Sequence, residues 1–474
     1  MSEYYKIYLG GQWLDSGEKL VVKSPYDQSE VGVTALASKN EYIQAIDIAE
    51  RTFSITRELP SYRREAVCLA VAAGLEKNID SFARILVLEV GKTYRDAATE
   101  VRRAIGVFRT AAEEAKRIGG DIIDLDWAAG SEERLGLLRR FPLGVVGGIS
   151  PFNYPLNLTA HKIAPAIASG NCIVLKPASK TPINALMLAE LIDKTDLPKG
   201  AVSILPARAG ETSPLIDDPR VKLITFTGSP EVGWWIKEKA GNKKVVLELG
   251  GNAGVAVADD ADLELAASRL VIGAFGHAGQ SCISVQRIYI QEKIYERFLD
   301  ILVKKITDLK VGDPLDETTD IGPMIDDASA ARIEGWIKNA VNGGAKIITG
   351  GKRHERILEP TLLADVKPNM EVCFKEAFAP LAVVFKYAEF KDVVAEINRS
   401  DYGLQAGIFT NRLKDIFYAF KHLEVGGVMI NDISTYRADH QPYGGVKKSG
   451  VGREGVKYAI EDMTELKILG LNLK

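Results

Sequence analysis

The chain has 474 residues, which exceeds what one hydrophobic core usually supports, so we expect two or more packed units. Hydrophobic residues make up 46% of the sequence, charged residues make up 26%, and the formal net charge is -3. These ordinary globular values give no electrostatic argument for binding nucleic acid or an anionic membrane. Chemistry on a small molecule is therefore the first expectation.

Cysteine and histidine are sparse in the sequence. The four cysteines are too few and too widely spaced for a disulfide framework, so we expect a reducing compartment and a cytoplasmic protein. The amino-terminal residues show no secretory pattern, and the longest apolar run, residues 66–75, is about half a membrane span. The five histidines are scattered, so we expect no metal site.

The first third of the chain divides into three stretches. Residues 1–25 are predicted to form short strands, and residues 41–118 are predicted to be mostly helical because apolar residues recur at spacings of three and four. Residues 119–133 are rich in Gly, Asp and Ala, and residues 134–140 then alternate like a strand. This change of composition predicts an excursion from the globular body.

From residue 143 onward, short apolar strand-like runs alternate with helix-like segments. This pattern predicts an α/β fold in which helices cover both faces of a parallel sheet, as in dinucleotide-binding domains. A second alternating unit extends to about residue 431, and residues 459–473 are predicted to be extended. The predicted strands are residues 144–149, 172–175, 202–205, 222–226, 245–248, 286–291, 382–385 and 406–410, and the later helices are residues 262–275, 293–309 and 415–423.

Three side chains in these units are candidates for catalysis. Cys282, in the segment Gly-Gln-Ser-Cys, has no second cysteine nearby and is a candidate nucleophile, although most free cysteines are small buried apolar residues. Glu248 ends an apolar run, where burial would raise its pKa toward that of a general base; pairing with a nearby cation is the alternative. Asn153 is a candidate oxyanion donor, with capping of the next helix as the alternative.

Seven motifs occur in one order along almost the whole chain. They are Pro-Phe-Asn-Tyr-Pro at 151–155, Lys-Pro at 176–177, Phe-Thr-Gly-Ser at 226–229, Leu-Glu-Leu-Gly-Gly at 247–251, Gly-Gln-Ser-Cys at 279–282, Glu-Ala-Phe-Ala-Pro at 376–380 and Pro-Tyr-Gly-Gly-Val-Lys-Lys-Ser-Gly at 442–450. Together they resemble the NAD(P)-dependent aldehyde dehydrogenase superfamily. The resemblance implies that Cys282 is the nucleophile, that Asn153 stabilises the oxyanion and that Glu248 activates water. Family branches that transfer the acyl group to coenzyme A commonly lack this base, so Glu248 favours hydrolysis to a free acid.

The resemblance also implies a domain organisation. Residues 1–118 and 143–250 are expected to form a Rossmann-type NAD(P)-binding domain, and residues 251–431 an α/β catalytic domain. Residues 119–142 and 455–474 are expected to form a small β oligomerisation element. The family relation implies a homodimer or homotetramer in which the final strand joins a sheet of the partner subunit.

The cofactor, NAD or NADP, is expected to lie along the first unit. Lys176 is implied to hold the adenosine ribose. Ser179 stands where NAD-preferring members often have a glutamate, and Lys180 follows it, so use of both cofactors is expected; a solvated surface role is the alternative for Lys180. The turn at residues 206–211 contains Gly210 but lacks a clean Gly-x-Gly-x-x-Gly pattern, so the dinucleotide motif itself is weak.

The other cofactor candidates lie in two later motifs. Gly228 and Ser229 open a predicted helix, whose amino terminus would bind the pyrophosphate. Glu376 and Phe378 match the family residues that hold the nicotinamide ribose and pack by the nicotinamide ring. Residues 377 and 379 are alanines where the family usually has isoleucine or leucine and glycine, which leaves the local backbone shape open.

Cationic side chains are the candidates for substrate binding, because they would suit an anionic or hydroxylated tail. These candidates are His161, Arg437 and His440, with Arg103 and Arg287 in addition, and surface solvation is the alternative for each. The motifs are most similar to branches acting on lactaldehyde, glyceraldehyde and phosphonoacetaldehyde, so we expect oxidation of a small polar aldehyde. The alternatives are non-phosphorylating glyceraldehyde-3-phosphate dehydrogenase, succinate-semialdehyde dehydrogenase, a cysteine esterase, or a binding protein without catalysis.

Overall fold

A computed structural model describes residues 3–474, so the first two residues of the predicted amino-terminal strands lie outside the described part. The fold is built on two large, mostly parallel sheets, each with its own apolar core. This arrangement confirms the α/β fold with a parallel sheet that the sequence predicts. Within residues 3–474, no helix combines the length and apolar character needed to cross a membrane.

The first sheet has eight strands, and its five central strands are parallel. Antiparallel pairing joins the outer strands to them. All five central strands correspond to runs predicted from the sequence, since they are apolar and buried on both faces. In spatial order the strands are Gly450–Val451, Lys244–Glu248, Val221–Thr227, Val145–Ile149, Cys172–Lys176, Val202–Ile204, Ile7–Leu9 and Gln12–Leu14.

The second sheet has seven strands, all parallel to their neighbours except the first, which pairs antiparallel. In spatial order they are Lys346–Thr349, Thr361–Ala364, Leu381–Tyr387, Val285–Gln291, Ala253–Val257, Gln405–Phe409 and Gly427–Ile430. Smaller sheets contain Tyr4–Tyr5, Glu30–Leu36 and Glu18–Lys23; Arg353–His354 and Ile357–Leu358; and Tyr402–Gly403 and Val446–Lys447.

Helices surround both sheets. Helix Pro155–Ser169 is buried along its whole length and packs against helix Tyr94–Ala115. It begins with a proline in its first turn and ends at Gly170, a combination typical of helix boundaries. The α-helices are Lys39–Thr56, Ser61–Lys77, Ile79–Val90, Tyr94–Ala115, Pro155–Ser169, Ile183–Asp193, Ser213–Asp217, Pro230–Lys239, Leu263–Phe275, Tyr295–Thr307, Asp327–Asn342, Glu371–Phe374, Phe390–Asn398, Leu413–His422 and Val456–Asp462.

A further sheet of three strands, called the third sheet below, contains the carboxyl-terminal strand. Strand Thr464–Asn472 pairs antiparallel with Arg134–Pro142 over its whole length, and Arg134–Pro142 pairs with Ile122–Asp124. Trp127, in the connection between the latter two strands, is 94% exposed. The excursion predicted after residue 118 therefore ends in a sheet with the carboxyl-terminal strand.

The carboxyl-terminal segment differs from its prediction in one respect. The sequence predicts extended structure over residues 459–473, but residues 456–462 form a helix, and the strand starts only at Thr464. Val456, Ala459 and Ile460 are buried, which is the three-and-four spacing of an amphipathic helix. This helix packs against Pro155–Ser169 and so anchors the segment to the first unit.

Candidate active site

Cys282 lies in a strained loop between helix Leu263–Phe275 and strand Val285–Gln291. His277 and Ala278 both have φ of 51°, a left-handed conformation that side-chain-bearing residues rarely adopt. Gly279 follows with φ of 66°, and a Cβ atom there would lie 2.0 Å from the carbonyl oxygen of Ala379. The loop therefore requires glycine at residue 279, which explains the first residue of the Gly-Gln-Ser-Cys motif.

The thiol of Cys282 is half-buried and lies 3.0 Å from the hydroxyl oxygen of Tyr443. Burial raises the pKa of this thiol to about 12, although the Tyr443 hydrogen bond opposes the shift. The nucleophile is therefore protonated near neutral pH and must lose its proton when it reacts. The sequence interpretation did not single out Tyr443, which lies within the motif at residues 442–450.

Close packing of two glycine-containing segments brings the base to the nucleophile. Glu248 ends strand Lys244–Glu248, and two further glycines complete that motif. A Cβ atom on Gly251 would lie 2.0 Å from the carbonyl oxygen of Cys282, so only glycine allows this approach. The Leu-Glu-Leu-Gly-Gly motif is thus in contact with the nucleophile loop.

Glu248 and Glu454 are two buried carboxyl groups whose pKa values are shifted in opposite directions. Among the described residues, neither carboxylate oxygen of Glu248 has a hydrogen-bond partner. Burial, and next the charge of Glu454, raise its pKa well above the usual value, while Arg437 and Lys162 oppose the shift. Burial acts in the same direction on Glu454, yet Lys162 and Arg437 hold the pKa of that carboxyl down to about 2. Two carboxyls with opposed pKa shifts are typical of acid–base sites.

Asn153 directs its amide toward the nucleophile loop. Its Nδ2 donates to the carbonyl oxygen of Gln280 at 2.9 Å, which leaves the second amide hydrogen for another acceptor. The backbone carbonyl oxygen of Asn153 accepts a hydrogen bond from the ammonium of Lys92 at 2.7 Å. Lys92 also forms an ion pair with Glu100, and both side chains are 0% exposed. This buried pair holds the Asn153 backbone in place.

Glu100 connects the same pair to the central helix. Its Oε1 accepts from the backbone N–H groups of Leu156 and Asn157, at 2.9 and 3.1 Å, in the first turn of helix Pro155–Ser169. A carboxylate is favoured there because it satisfies N–H groups that have no partner within the helix. Sequence patterns gave no sign of this pair, because Lys92 and Glu100 lie about 60 and 50 residues before Asn153.

A cavity of about 750 Å³ opens along the carboxyl edge of the first sheet and reaches the nucleophile. Its wall includes the three catalytic candidates, Asn153, Glu248 and Cys282. The structure also brings to this wall all of the predicted cofactor residues, which are Lys176, Ser179, Lys180, Gly210, Gly228, Ser229, Glu376 and Phe378.

The polar groups of this cavity lie in different parts of its wall. Burial lowers the pKa of Lys176 to about 8, and its ammonium donates to the carbonyl oxygen of Pro177 at 3.1 Å. Ser229 is the N-cap of helix Pro230–Lys239, so the amino end of that helix faces the cavity. Glu376 accepts from the backbone N–H of Gly251 at 2.9 Å, and burial raises its pKa to about 7.

The backbone at Phe378 shows why residue 379 can be alanine where the family usually has glycine. The positive φ of this segment, 51°, falls on Phe378 itself, so a glycine is not needed at the next position. Its ring packs edge-on against that of Phe152, with the centroids 5.8 Å apart and the planes at 74°.

A second cavity, of about 70 Å³, lies on the other side of the nucleophile. Asn153, Leu158, Thr227, Glu248 and Cys282 line both cavities, so the reacting groups stand at their junction. The remaining wall of the small cavity consists of Arg103, Tyr154, Asn157, Ser281, Ile283, Thr435, Arg437, Tyr443 and Glu454.

Arg437 lies in the wall of the small cavity and not on the surface. Its Nη2 pairs with Glu454 at 3.1 Å, and its guanidinium carbon lies 3.7 Å from the centroid of the Tyr443 ring. Within residues 3–474, its Nε has no hydrogen-bond partner although it is buried. Arg103, also in this wall, binds Asp439 through two hydrogen bonds, of 3.1 and 2.7 Å.

The other substrate candidates lie elsewhere. His161 is buried, and its Nε2 contacts Asp439 at 3.0 Å. Burial and the neighbouring Arg437 lower the pKa of His161, which favours a neutral imidazole over the cation expected from the sequence. His440 is exposed and lies outside the walls of both cavities that contain Cys282. Arg287 donates to the carbonyl oxygens of residues 252, 396 and 397, a structural role inside the second unit.

Comparison with known proteins decides the family. A model of the aldehyde dehydrogenase family matches residues 13–469. The chain belongs to this family. The 3-sulfolactaldehyde dehydrogenase of Priestia aryabhattai is 47% identical over 474 residues, covering 99% of this chain and 98% of that protein.

Two solved structures extend the comparison. The structure of aldehyde dehydrogenase 21 from Physcomitrella patens, in complex with the reaction product succinate, has a TM-score of 0.98 and 44% identity, and covers 100% of this chain and 99% of that one. The structure of GapN, a glyceraldehyde-3-phosphate dehydrogenase from Methanocaldococcus jannaschii complexed with NADP, has a TM-score of 0.92 and 39% identity, and covers 96% and 100%. The protein is thus an enzyme of the aldehyde dehydrogenase family that uses NAD or NADP.

The large cavity fits the cofactor of the aldehyde dehydrogenase family. Its volume of about 750 Å³ lies within the usual range for ligand sites. The polar groups of the wall also suit this cofactor. An ammonium and a carboxylate can each hydrogen-bond to ribose hydroxyl groups, and a helix amino terminus can bind the pyrophosphate.

Proposed function

We propose that the protein oxidises a short aldehyde with a polar or anionic tail to the free carboxylic acid, with Cys282, Asn153 and Glu248 as its catalytic residues. The observation that carries this proposal is the position of these three side chains at the junction of the two cavities. The large cavity, of about 750 Å³, is the proposed site of the dinucleotide, and the small one, of about 70 Å³, is the proposed site of the aldehyde.

Acylation begins when Cys282 loses its thiol proton to solvent and its Sγ attacks the aldehyde carbon, whose carbon–oxygen π bond opens to an oxyanion. The resulting oxyanion accepts hydrogen bonds from the free amide hydrogen of Asn153 and from the backbone N–H of Cys282; one such donor typically contributes about 3 kcal/mol. The bound cofactor supplies the acceptor for the hydride, and a thioester on Cys282 is the oxidised product of this half-reaction.

Deacylation requires the buried carboxyl. Glu248 in its ionised form accepts a proton from water while the water oxygen attacks the thioester carbon. The carbon–sulfur bond then breaks, the Cys282 sulfur takes back a proton from Glu248, and the acid and the free thiol result. The raised pKa of Glu248 suits it for accepting a proton near neutral pH. The presence of this base supports hydrolysis over transfer to coenzyme A.

The proposed cofactor contacts follow the position of each polar group in the wall. Lys176 and Ser179 would bind the adenosine ribose, and the amino end of helix Pro230–Lys239 the pyrophosphate. Glu376 would bind the nicotinamide ribose, with Phe378 beside the ring.

The polar tail is proposed to lie against Arg437 and Arg103. These two arginines and Lys162 supply three positive charges, while Asp439 and Glu454 supply two negative ones. The group therefore carries one net positive charge when Glu248 is neutral. Such a balance favours small aldehydes with a hydroxyl, sulfonate, phosphate or carboxylate over plain alkyl aldehydes. Lactaldehyde and glyceraldehyde fit this description, and so do their charged analogues.

An aldehyde panel tested with each cofactor separates these possibilities. Lactaldehyde, glyceraldehyde, 3-sulfolactaldehyde, glyceraldehyde 3-phosphate, succinate semialdehyde and propanal are compared by the kcat/KM for appearance of reduced cofactor, and the acid product is quantified. Higher kcat/KM for the polar and anionic aldehydes, without any need for coenzyme A, is the expected result. Ester hydrolysis without cofactor reduction would favour the esterase alternative, and propanal as the best substrate would contradict the polar-tail proposal.

We further propose that two unpaired sheet edges join across a homodimer, which could pair again into a homotetramer. Thr464–Asn472 is one of the two edge strands of the third sheet, and Gly427–Ile430 is one of the two edge strands of the second. Apolar side chains are exposed beside both edges: Leu466, Ile468 and Leu469 on the former, and Phe417 and Phe420 on helix Leu413–His422 beside the latter. Exposed apolar strand edges of this kind usually pair with another chain.

Light scattering after size exclusion tests the assembly. The unchanged protein is expected to be a dimer or tetramer, and Ile468→Lys is expected to shift it toward monomer. An unchanged mass for this variant would place the interface elsewhere.

A further inference from the structure

An ion pair crosses from one unit to the other beside the large cavity. Lys180 follows strand Cys172–Lys176 of the first sheet and lines the cavity. Asp326 precedes helix Asp327–Asn342 of the second unit, and its Oδ2 contacts the Lys180 ammonium. The side chains are 49% and 31% exposed, so the pair is accessible to a ligand that enters the cavity.

The carboxylate of this pair is fixed and charged. Asp326 is the N-cap of its helix, where its Oδ1 accepts from the backbone N–H of Ser329 at 2.7 Å. Burial opposes ionisation, yet the hydrogen bonds from Lys180 and Ser329 hold the pKa of Asp326 down to about 2. Asp326 therefore carries its negative charge at every pH at which the enzyme would be assayed.

Lys180 is the cation available to a phosphate group in this part of the wall. Ser179 donates its hydroxyl to the carbonyl oxygen of Ala207 at 2.9 Å, and its oxygen is 3.5 Å from the Lys176 ammonium. Lys176 is largely buried, and its ammonium is already hydrogen-bonded to the backbone carbonyl oxygen of Pro177. A 2′-phosphate at Ser179 carries between one and two negative charges near neutral pH. A phosphate at this position would therefore face a Lys180 ammonium that is already paired with the carboxylate of Asp326.

We propose that Asp326 sets the choice between NAD and NADP by occupying Lys180. This rests on the proposed position of the adenosine ribose at Lys176 and Ser179. NAD presents a 2′-hydroxyl and leaves the ion pair intact. NADP requires Lys180 to exchange the carboxylate of Asp326 for the phosphate, so its binding must break the ion pair. Asp326 is thus a specificity-determining residue that acts through its neighbour.

Asp326→Asn tests this with little change in shape, because asparagine caps helices as well as aspartate does. Isothermal titration with NAD and with NADP, in the absence of aldehyde, measures the two dissociation constants. We expect the Kd for NADP to fall by about three- to tenfold and the Kd for NAD to stay unchanged. The matched control is Asp365→Asn, which removes the same charge from the pair of Lys346 and Asp365, 2.9 Å apart and outside the cavity wall. Both constants should be unchanged in this control.

Two lysine substitutions separate the causes. In a Lys180→Met background, Asp326→Asn should lose most of its effect on NADP binding; an undiminished effect would show that Asp326 acts on the phosphate directly and would overturn the proposal. Equal changes for NAD and NADP, or none, would overturn it as well. Lys176→Met should weaken both cofactors, and its failure to do so would refute the proposed position of the ribose, on which the ion-pair proposal depends.

Discussion

Replacing the buried carboxyl by its amide, Glu248→Gln, isolates the second half of the reaction. The two side chains have nearly the same shape, and the substitution breaks no hydrogen bond of the Glu248 carboxylate within the described part of the chain. The fold and the acylation step should therefore persist. Loss of a positioned general base typically slows a step about 10²- to 10⁴-fold. Hydrolysis of the thioester should slow by this factor and become rate-limiting.

Rapid mixing of the variant with aldehyde and cofactor should show a stoichiometric burst of reduced cofactor, followed by a slow steady phase. Deuterium on the aldehyde carbon should slow the burst and leave the steady phase unaffected. A slow rate from time zero, without an isotope effect, would refute the assignment of Glu248 as the base. A slow rate from time zero with a full isotope effect would show that Glu248 supports hydride transfer instead.

The pH dependence gives a second check on the same side chain. Because the pKa of Glu248 is raised, deacylation by the unchanged enzyme should increase with pH, and this dependence should vanish in Glu248→Gln. Stability should change in the opposite direction. A carboxyl with a higher pKa in the folded state binds more protons there, so its contribution to stability is lost as the pH rises through that pKa. The melting temperature of Glu248→Gln minus that of the unchanged enzyme should therefore increase from pH 5 to pH 8.

Three further substitutions test the other groups. Cys282→Ala should abolish turnover, while cofactor binding measured by calorimetry persists. The control Cys373→Ala, at a buried thiol of the second unit, should retain activity. Near-normal turnover in Cys282→Ala would exclude Cys282 as the nucleophile. Ser179→Glu should weaken NADP use far more than NAD use, since a carboxylate would oppose the 2′-phosphate, and an unchanged ratio of kcat/KM would place this residue away from the ribose. Arg437→Ala should raise the KM for anionic aldehydes by the equivalent of roughly 1.5 to 3 kcal/mol and that for propanal much less, and equal losses would indicate that Arg437 acts only by holding Glu454.

The sequence predicted the fold where patterns are local. Five apolar runs between residues 144 and 248 became the parallel core of the first sheet, because such runs are buried on both faces whatever lies around them. The helix at residues 456–462 was missed because a run of only seven residues contains too few turns for its spacing to stand out from extended alternation. Strand Gly450–Val451 was also missed, because it is only two residues long and pairs with Leu247 and Glu248, about 200 residues earlier.

The sequence predicted the site residues that lie inside recognisable motifs. It missed the charged residues that come together only when distant segments pack in the fold. Cys282, Glu248 and Asn153 each stand inside a recognisable motif, and the structure places them around one junction. Glu454 and Lys162 gave no such signal, because one acidic and one basic residue 292 positions apart have no pattern until the chain folds. Arg437 was predicted as a substrate-binding cation, with surface solvation as the alternative, and the sequence gave no sign that it is buried and paired with Glu454.

The buried charges at the junction also order the two half-reactions. Burial raises the pKa of the Cys282 thiol and of the Glu248 carboxyl, and a carboxylate at Glu248 raises the pKa of the thiol further. Glu454 keeps its charge because Lys162 and Arg437 face it. The thiolate that forms during attack is therefore most stable while Glu248 is still protonated. After acylation the thioester carries no charge to oppose a carboxylate, so Glu248 can ionise and act as the base at the step that requires it.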